Sequence, residues 1–335
     1  MQVSSPNLAN NIMFTENDVN GMLEPWKKLK MKLAQMGYDF VTTDNNPLSQ
    51  CAFIIFLDSA SVDGIVHAGS WPTRKIYQEA TLAGMKDKMA LFLWEPQSVR
   101  PTNYEPKTWE KFKYIFTWND DLVDNKKFFK FILPIPENVP TYIPVAFNQK
   151  KLLVNITANK YSSKPHELYS MRRKTIEYFT KHCPDDFDLY GVRWNEPVTP
   201  WQRRFPFLVK KYASYKGKTN QKIETLSRYK FTLCYENMTN VKGLVTEKIF
   251  DALKARSVPI YWGADNIEEY VDKKVFVDRR TFASDKDLFQ YIRNVSEKEY
   301  TQYLLAIEQY LKSEQYKKFL PEHFCDSILK VLNIS

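Results

Sequence analysis

Short, almost continuously apolar runs alternate with amphipathic stretches in the first part of the chain. The runs at 51–58, 88–95 and 113–119, of which CAFIIFLD is the first, are typical of strands that are buried on both faces of a parallel sheet. Apolar residues at helical spacing predict a helix over 71–84. This alternation of strand and helix predicts a parallel sheet that is covered by helices.

The second half of the chain repeats this pattern. Apolar runs predict strands at 151–157, 186–191, 229–236, 257–263 and 274–278. Apolar residues at helical spacing predict helices at 166–182, 247–256, 297–312 and 321–332. We therefore expect a second parallel sheet of the same kind.

A proline-rich stretch separates the two halves. Its four prolines are Pro134, Pro136, Pro140 and Pro144. Because proline disfavours both a helix interior and a central strand, we expect an interdomain linker at about 134–150. The predicted organisation is a first Rossmann-like domain over 1–145, a second over 150–312 and a C-terminal helical tail over 313–335.

Positive charge is concentrated in one part of the chain. The protein has 335 residues and a formal net charge of +9, while residues 150–230 alone hold 18 Lys and Arg against 7 Asp and Glu. A local surplus of this kind favours an anionic ligand, a nucleic acid or an anionic membrane surface. A merely well-solvated face would give the same composition.

The four cysteines and four histidines are scattered, with neither a C-x-x-C pair nor the spacing of metal ligands. We therefore expect reduced, buried thiols and no metal site. The first residues lack the basic and apolar segments of a signal peptide, and no apolar stretch has the length of a membrane span. These observations predict a cytoplasmic protein.

Ligands of open parallel sheets bind beyond the carboxyl ends of the strands. This rule selects the loops after the predicted strands that end at Glu236 and Trp262, because a crossover helix places both loops at the same edge of the sheet. Gly243 allows the first loop to bend, and Thr246 is the predicted N-cap of the crossover helix.

Lys248 is unexpected in the first turn of this helix, because the positive end of the helix dipole repels a cation. A phosphate bound at the helix N-terminus would reverse the effect, since the free N–H groups and the lysine would then share one anion. A solvated lysine, at a cost of about 0.3–1 kcal/mol, is the alternative. The spacing alone does not decide between the two.

Residues 229–270 resemble the donor-binding signature of the α1,3-fucosyltransferases, glycosyltransferase family 10. The similar motifs are Y-E-N at 235–237, T-E-K at 246–248, V-P-I-Y at 258–261 and G-A-D-N at 263–266. Weaker similarities at 92–104, 116–130 and 167–179 extend the resemblance over both domains. It implies the α/β GT-B architecture, two Rossmann-like domains facing each other across a cleft, the first binding the acceptor and the second the GDP-sugar donor.

The resemblance also implies the residues of the site. Lys248 and an arginine of LYSMRR would bind the diphosphate of GDP-fucose, and Arg172 fits the spacing better than Arg173. Glu95, at the end of an N-terminal strand, would be the general base. Glu247 and Asn237 would bond to sugar or ribose hydroxyls. The remaining implied donor-binding residues are Glu236, Val245, Thr246 and Asn266.

The implied activity is inverting transfer of L-fucose from GDP-β-L-fucose to a glycan hydroxyl, with α1,3 linkage to a GlcNAc-type residue. Family members often have an aromatic residue where this chain has Leu244, which leaves a different nucleotide-sugar donor open. No cofactor is expected, and a divalent metal would at most stimulate transfer. Asp186 and Asp188 match the D-x-D motif of metal-dependent glycosyltransferases, but they lie in a predicted strand and we interpret them as structural.

A nucleic-acid-binding protein is the rival interpretation, because residues 201–218 mix basic and aromatic side chains. It leaves the similarity at 229–270 unexplained, and we expect no nucleic-acid partner. The expected partners are GDP-fucose and an oligosaccharide or lipid-linked glycan, which N-terminal loops such as 59–71 would bind. Peripheral contact with the inner face of an anionic membrane would suit the basic surface.

Overall fold

The computed structural model of the chain describes residues 1–4, 10–15, 21–59, 71–137 and 144–334. Residues 60–70 of the predicted acceptor loop and residues 138–143 of the predicted linker lie outside the described residues. All eleven strands described here are parallel to their neighbours. This confirms the parallel sheets that the alternation of strands and helices predicts.

The strands fall into two sheets. Those of the first sheet are β1 Gln2–Ser4, β2 Val41–Thr42, β3 Ile54–Leu57, β4 Met89–Leu93, β5 Tyr114–Thr117 and β6 Phe128–Lys130. Those of the second are β7 Lys151–Ile156, β8 Phe187–Tyr190, β9 Tyr229–Tyr235, β10 Val258–Trp262 and β11 Val277–Asp278.

Helices cover the sheets and connect their strands. The first four are α1 Ile12–Thr15, α2 Glu24–Gln35, α3 Trp71–Leu82 and α4 Pro106–Trp109. The next four are α5 Tyr169–His182, α6 Pro200–Arg204, α7 Lys222–Ser227 and α8 Glu247–Lys254. The last four are α9 Asp285–Asn294, α10 Glu297–Tyr310, α11 Glu314–Lys317 and α12 Pro321–Val331.

The chain divides into two compact units. The first comprises Met1–Glu137, Lys242–Leu244 and Lys318–Ser335, and the second comprises Asn138–Val241 and Val245–Lys317. The end of the chain therefore belongs to the N-terminal unit. The assignment of acceptor to one domain and donor to the other stays a prediction.

In the first unit the strand order is β2-β1-β3-β4-β5-β6. The central strands β3 and β4 are almost wholly buried, which explains their unbroken apolar sequences. The C-terminal helix α12 completes this core through Phe324, whose ring centroid lies 5.2 Å from that of Trp26 and 6.1 Å from that of Phe92. Proline in the first turn starts both α2 and α12.

In the second unit the strand order is β11-β10-β9-β7-β8, so β9 lies at the centre. Helix α8 connects β9 to β10 and buries one apolar side that includes Ile249, Phe250 and Leu253. The strands predicted at 151–157, 186–191, 229–236 and 257–263 are confirmed to within one residue at each end.

The sequence pattern did not reveal every element. Strands β1 and β2 have three and two residues, too few to show a periodicity, and helices α2 and α9 were also missed. The strand expected at 274–278 is shortened to β11 by a 3-10 turn over Lys273–Val275.

Two further expectations can be compared with the structure. All four cysteines are buried and free, as predicted. None of the helices in the described part of the chain combines the length and the apolar content that crossing a bilayer requires.

Candidate functional site

The carboxyl ends of β9 and β10 lie side by side in the second unit, as the sequence predicted. Tyr235 and Trp262 are paired in the ladder, and the amide of Glu236 continues it by donating to the carbonyl of Trp262 at 2.8 Å. The loop after β9 leads into the N-terminus of α8 at this edge. This edge is the candidate site.

Glu236 is the deepest charged group of the site, with 0% of its surface exposed. Its Oε1 accepts from the amide and the hydroxyl of Thr246, both at 2.9 Å, and its Oε2 lies 2.8 Å from the same hydroxyl. Gly263 gives the carboxylate this room, because a Cβ at that position would lie 2.5 Å from Cγ of Glu236. A buried carboxylate needs such partners.

Lys248 is held by two carboxylates. Its Nζ lies 3.2 Å from Oε2 of Glu236 and 3.4 Å from Oε1 of Glu247, and it donates to the hydroxyl of Thr246 at 2.9 Å. Only 16% of its side chain is exposed. The alternative of a solvated lysine is therefore wrong, and these acids supply the negative charge that makes a cation favourable in the first turn.

Thr246 is the N-cap residue of α8, as predicted, but its side chain makes no capping hydrogen bond. Its hydroxyl is committed to Glu236 instead. Glu247 is the acidic residue in the first turn of this helix. An acidic group in the first turn is favourable for the helix dipole.

Arg172 and Arg173 occupy different places. Arg172, which is 3% exposed, donates through Nη2 to the carbonyls of Tyr235 and Glu236 at 2.5 and 2.9 Å. Arg173 is half-buried and donates to the carbonyl of Lys160 at 2.5 Å. The structure therefore brings Arg172 to the end of β9 with Lys248, and it does not bring Arg173 there.

Burial and the neighbouring charges set the pKa values of this cluster. Burial alone would raise the pKa of Glu247, but Lys248 and Lys222 outweigh it and lower the pKa to about 2. Burial would lower the pKa of Lys248, but Glu236 and Glu247 raise it above its ordinary value. Burial raises the pKa of Glu236 despite the opposing effect of Lys248. Lys248 is therefore a permanent cation between two acids.

A second ion pair joins the cluster from α7. Lys222 lies 2.5 Å from Oδ2 of Asp251, which is one turn after Glu247 on α8. Three cations (Arg172, Lys222 and Lys248) thus balance three acids (Glu236, Glu247 and Asp251) when all are ionised. Glu247 and Asp251 lie one turn apart on the same side of α8, and this spacing indicates that a cation lies nearby. It does not identify that cation as Lys222, which is distant in sequence.

The other implied donor-binding residues have structural contacts of their own. The carbonyl of Asn237 accepts from the amide of Leu168 at 3.0 Å, and the amide group of Asn266 donates to Glu269 at 2.9 Å. Val245 and Leu244 are each 1% exposed. The side chain at the position of the expected aromatic residue is therefore buried.

Glu95 belongs to the first unit, two residues after the end of β4. Sequence reasoning missed Asp58, at the end of β3, whose Oδ1 accepts from the amides of Trp94 and Glu95 at 2.8 and 3.1 Å. Asn103 donates to the same oxygen at 2.6 Å and to the carbonyl of Glu95 at 3.3 Å. Burial raises the pKa of Asp58, and its hydrogen bonds hold the backbone that carries Glu95.

Asp188 is part of the core of the second unit. It is 3% exposed and accepts from Nζ of Lys151 at 2.9 Å and from the hydroxyl of Tyr229 at 2.5 Å. Burial would raise its pKa, but these bonds lower it. These contacts favour the structural interpretation of the D-x-D motif. Among the residues that the structure describes, no group of three or more His, Cys, Asp or Glu could hold a metal ion.

Comparison with known proteins identifies the family. The model described as "Glycosyltransferase family 10 (fucosyltransferase) C-term" matches residues 148–333, more than half of the chain. The chain belongs to glycosyltransferase family 10. The matched region contains the whole cluster around Glu236 and Lys248, while Glu95 lies outside it.

Two curated relatives of this family-10 chain are similar over a short region. An α-(1,3)-fucosyltransferase of Helicobacter pylori is 43% identical over 72 residues, which are 22% of this chain and 15% of the relative. An α-(1,4)-fucosyltransferase of Arabidopsis thaliana is 42% identical over 72 residues, which are 22% of this chain and 18% of the relative. The alignments thus cover less than a fifth of either relative.

A solved structure extends the likeness to nearly the whole family-10 chain. The crystal structure of an α1,3-fucosyltransferase with GDP has a TM-score of 0.59 at 15% identity, covering 99% of this chain and 89% of that chain. At this identity the likeness concerns the fold, and it confirms the prediction of two Rossmann-like units of the GT-B class.

The low pKa of Glu247 predicts an acid-dependent contribution to stability. A carboxyl group whose pKa falls from 4.5 to about 2 on folding stabilises the fold fully above the unfolded value, and the contribution is lost as the pH falls towards 2. Glu247→Gln should therefore lower the melting temperature near neutral pH and have a smaller effect at about pH 3. Melting curves of both proteins at several pH values measure this difference.

Glu268→Gln is the matched control, because Glu268 is an exposed acid of the same unit. It should shift the melting temperature little at any pH. A Glu247→Gln effect that keeps the same size from neutral to acidic pH would contradict the assignment.

Proposed function

We propose that this family-10 protein transfers L-fucose from GDP-β-L-fucose to a hydroxyl group of a glycan, with inversion at the anomeric carbon. The observation that carries the proposal is the meeting of Lys248 and Arg172 at the carboxyl end of β9, within the region that the family model matches. A buried arginine and a largely buried lysine beside a helix N-terminus form a site suited to a diphosphate.

The donor half of the reaction needs stabilisation of the leaving group. As the bond between the anomeric carbon and the β-phosphate oxygen breaks, its electron pair stays on GDP and adds negative charge to the diphosphate. Lys248 and Arg172 are held in place before the reaction by Glu236 and by the carbonyls at the end of β9. Charges that are already oriented stabilise the transition state without further reorganisation.

The acceptor half needs a base. We propose that the carboxylate of Glu95 takes the proton of the acceptor hydroxyl while its oxygen forms the bond to the anomeric carbon. A single displacement of this kind converts the β-linked donor into an α-fucoside. Asp58 acts as a positioning residue, because it holds the backbone amides of Trp94 and Glu95.

The acceptor is proposed as an oligosaccharide or lipid-linked glycan with α1,3 linkage to a GlcNAc-type residue. The two curated relatives carry the names of an α-(1,3)- and an α-(1,4)-fucosyltransferase, so the linkage varies among relatives. A different nucleotide-sugar donor is the alternative, because Leu244 replaces an expected aromatic residue.

The first prediction from the proposed activity concerns donor binding. Lys248→Ala should weaken GDP binding by roughly ten- to hundredfold, since a hydrogen bond to a charged group contributes about 1.5–3 kcal/mol. Arg173→Ala is the matched control and should change the affinity little, because Arg173 contacts the carbonyl of Lys160 instead. Calorimetric titration with GDP and UDP, alongside melting curves, measures both effects.

A folded Lys248→Ala variant with wild-type affinity for GDP would remove Lys248 from the donor site. Tighter binding of UDP than of GDP by the wild-type protein would favour the alternative donor.

The second prediction separates catalysis from binding. Glu95→Gln should lower kcat by about 10²–10⁴-fold, the usual contribution of a general base, while GDP affinity stays unchanged. The amide keeps the size of the side chain, so the backbone bonds to Asp58 and Asn103 persist. Glu110→Gln, an exposed acid of the same unit, should retain wild-type turnover. A stable Glu95→Gln variant with near-normal kcat would refute the role.

The third prediction concerns metal. Since Asp188 is committed to Lys151 and Tyr229, we propose that transfer requires no resident metal ion. Turnover measured as GDP release should persist in EDTA, with at most modest stimulation by added divalent ions. Complete loss of turnover that added metal restores would show that a metal is required.

A further inference from the structure

An exposed aromatic cluster lies in the connection between β8 and α7. Trp201 is 71% exposed and Phe207 is 82% exposed, and Phe205 and Leu208 are 38% and 44% exposed. The rings of Trp201 and Phe205 are nearly parallel with centroids 6.3 Å apart, and those of Phe205 and Phe207 are 5.9 Å apart. The three rings therefore form a continuous exposed apolar patch, with the exposed Leu208 next to Phe207 in the chain, and such patches are unusual on the surfaces of soluble proteins.

Cations surround this apolar patch. Between residues 197 and 221 the chain has six Lys and Arg and no Asp or Glu. Lys210 pairs with Glu177, but Arg203, Arg204 and Lys211 are exposed and form no ion pair with any residue that the structure describes. The guanidinium of Arg204 lies 5.6 Å from the ring centroid of Phe205. The patch is thus apolar at its centre and cationic at its rim.

The local backbone holds this surface in a defined conformation. Thr199 and Gln202 form a capping box at the start of α6, and Pro200 occupies its first turn. The amide of Phe205 donates to the carbonyl of Trp201 at 2.8 Å. Because this geometry rests on hydrogen bonds, the exposure of Trp201 and Phe207 is not needed to build the turn. Their exposure therefore needs another explanation.

We propose that residues 201–211 dock the protein on an anionic lipid bilayer. Aromatic rings are favourable at the boundary between headgroups and acyl chains, and each Lys or Arg at the rim gains from the negative surface potential. The complementary chemistry is a phosphate-bearing lipid surface.

The composition of the patch favours lipid over a macromolecular partner. Protein interfaces usually have a rim of polar side chains that form hydrogen bonds, whereas the rim of this patch is cationic and Gln202 is already committed to its capping box. Single-stranded nucleic acid stacks its bases on exposed rings, but Trp201 and Phe205 already lie against each other. A bilayer needs only exposed apolar groups with cations beside them.

Co-sedimentation of the full-length protein with lipid vesicles tests the proposal. Vesicles of phosphatidylcholine with phosphatidylglycerol should bind the protein, those of phosphatidylcholine alone should bind it weakly, and salt should reduce binding. Trp201→Ser/Phe207→Ser and Arg203→Glu/Arg204→Glu should each weaken partitioning by roughly tenfold or more. Melting curves should be unchanged, because these side chains are exposed.

Matched controls separate the patch from general hydrophobicity and net charge. Leu82→Ser/Leu305→Ser removes two other exposed apolar side chains and should bind like wild type. Lys273→Glu/Lys274→Glu makes the same change in net charge at another exposed site and should lose much less binding. Equal losses in the control variants and the patch variants would overturn the proposal, as would absence of wild-type binding to anionic vesicles.

Two further measurements distinguish the other occupants. Transfer to a soluble acceptor should be unaffected in Trp201→Ser/Phe207→Ser, and a loss there would assign the patch to acceptor binding instead. Binding of a single-stranded oligonucleotide that disappears in the same variant, without vesicle binding by the wild type, would assign it to nucleic acid. Vesicle binding and GDP affinity are measured separately, so either proposal can fail alone.

Discussion

The arrangement of the candidate site depends on one buried carboxylate. Glu236 is wholly inaccessible at the end of the central strand of the second sheet, where an ionised group without partners would cost several kcal/mol. Its oxygens are satisfied by Thr246 and Lys248. The end of β9, the start of α8 and the position of the lysine are therefore fixed together, and Gly263 must stay small for the carboxylate to fit.

The same constraint shapes how an anion would bind. Lys248 and Arg172 are already paired with acids or carbonyl groups, so a diphosphate would share these cations. The binding free energy of the diphosphate is then the gain from its new contacts with the two cations minus the loss from their weakened contacts within the protein. The advantage is orientation, because neither cation has to be gathered from solvent. The pairing of Lys248 in the free protein and its proposed role with the donor are therefore compatible.

Sequence reasoning succeeded where local patterns decide and failed where distant residues meet. The apolar runs and the parallel-sheet rule located the edge between β9 and β10, and the helix spacing placed Thr246 at the start of α8. The contact of Lys248 with Glu236 was missed, since Glu236 precedes it by twelve residues. Asp58 lies 37 residues before Glu95, and nothing local marks their contact. The packing of Phe324 against Trp26 was missed for the same reason, because the two residues are far apart in sequence.

The positively charged residues discussed here form two groups, one balanced by acids at the candidate site and one at an exposed surface. At the candidate site, Arg172, Lys222 and Lys248 are balanced by Glu236, Glu247 and Asp251, so this cluster adds nothing to the net charge of +9. The segment 197–221 contributes six positive charges without an acid. The surplus seen in the composition therefore does not report the donor site. It marks an exposed surface, where Lys210 and Lys216 pair with Glu177 and Asp188. Arg203, Arg204 and Lys211 form no ion pair there with any residue that the structure describes, so their charges remain available to a partner.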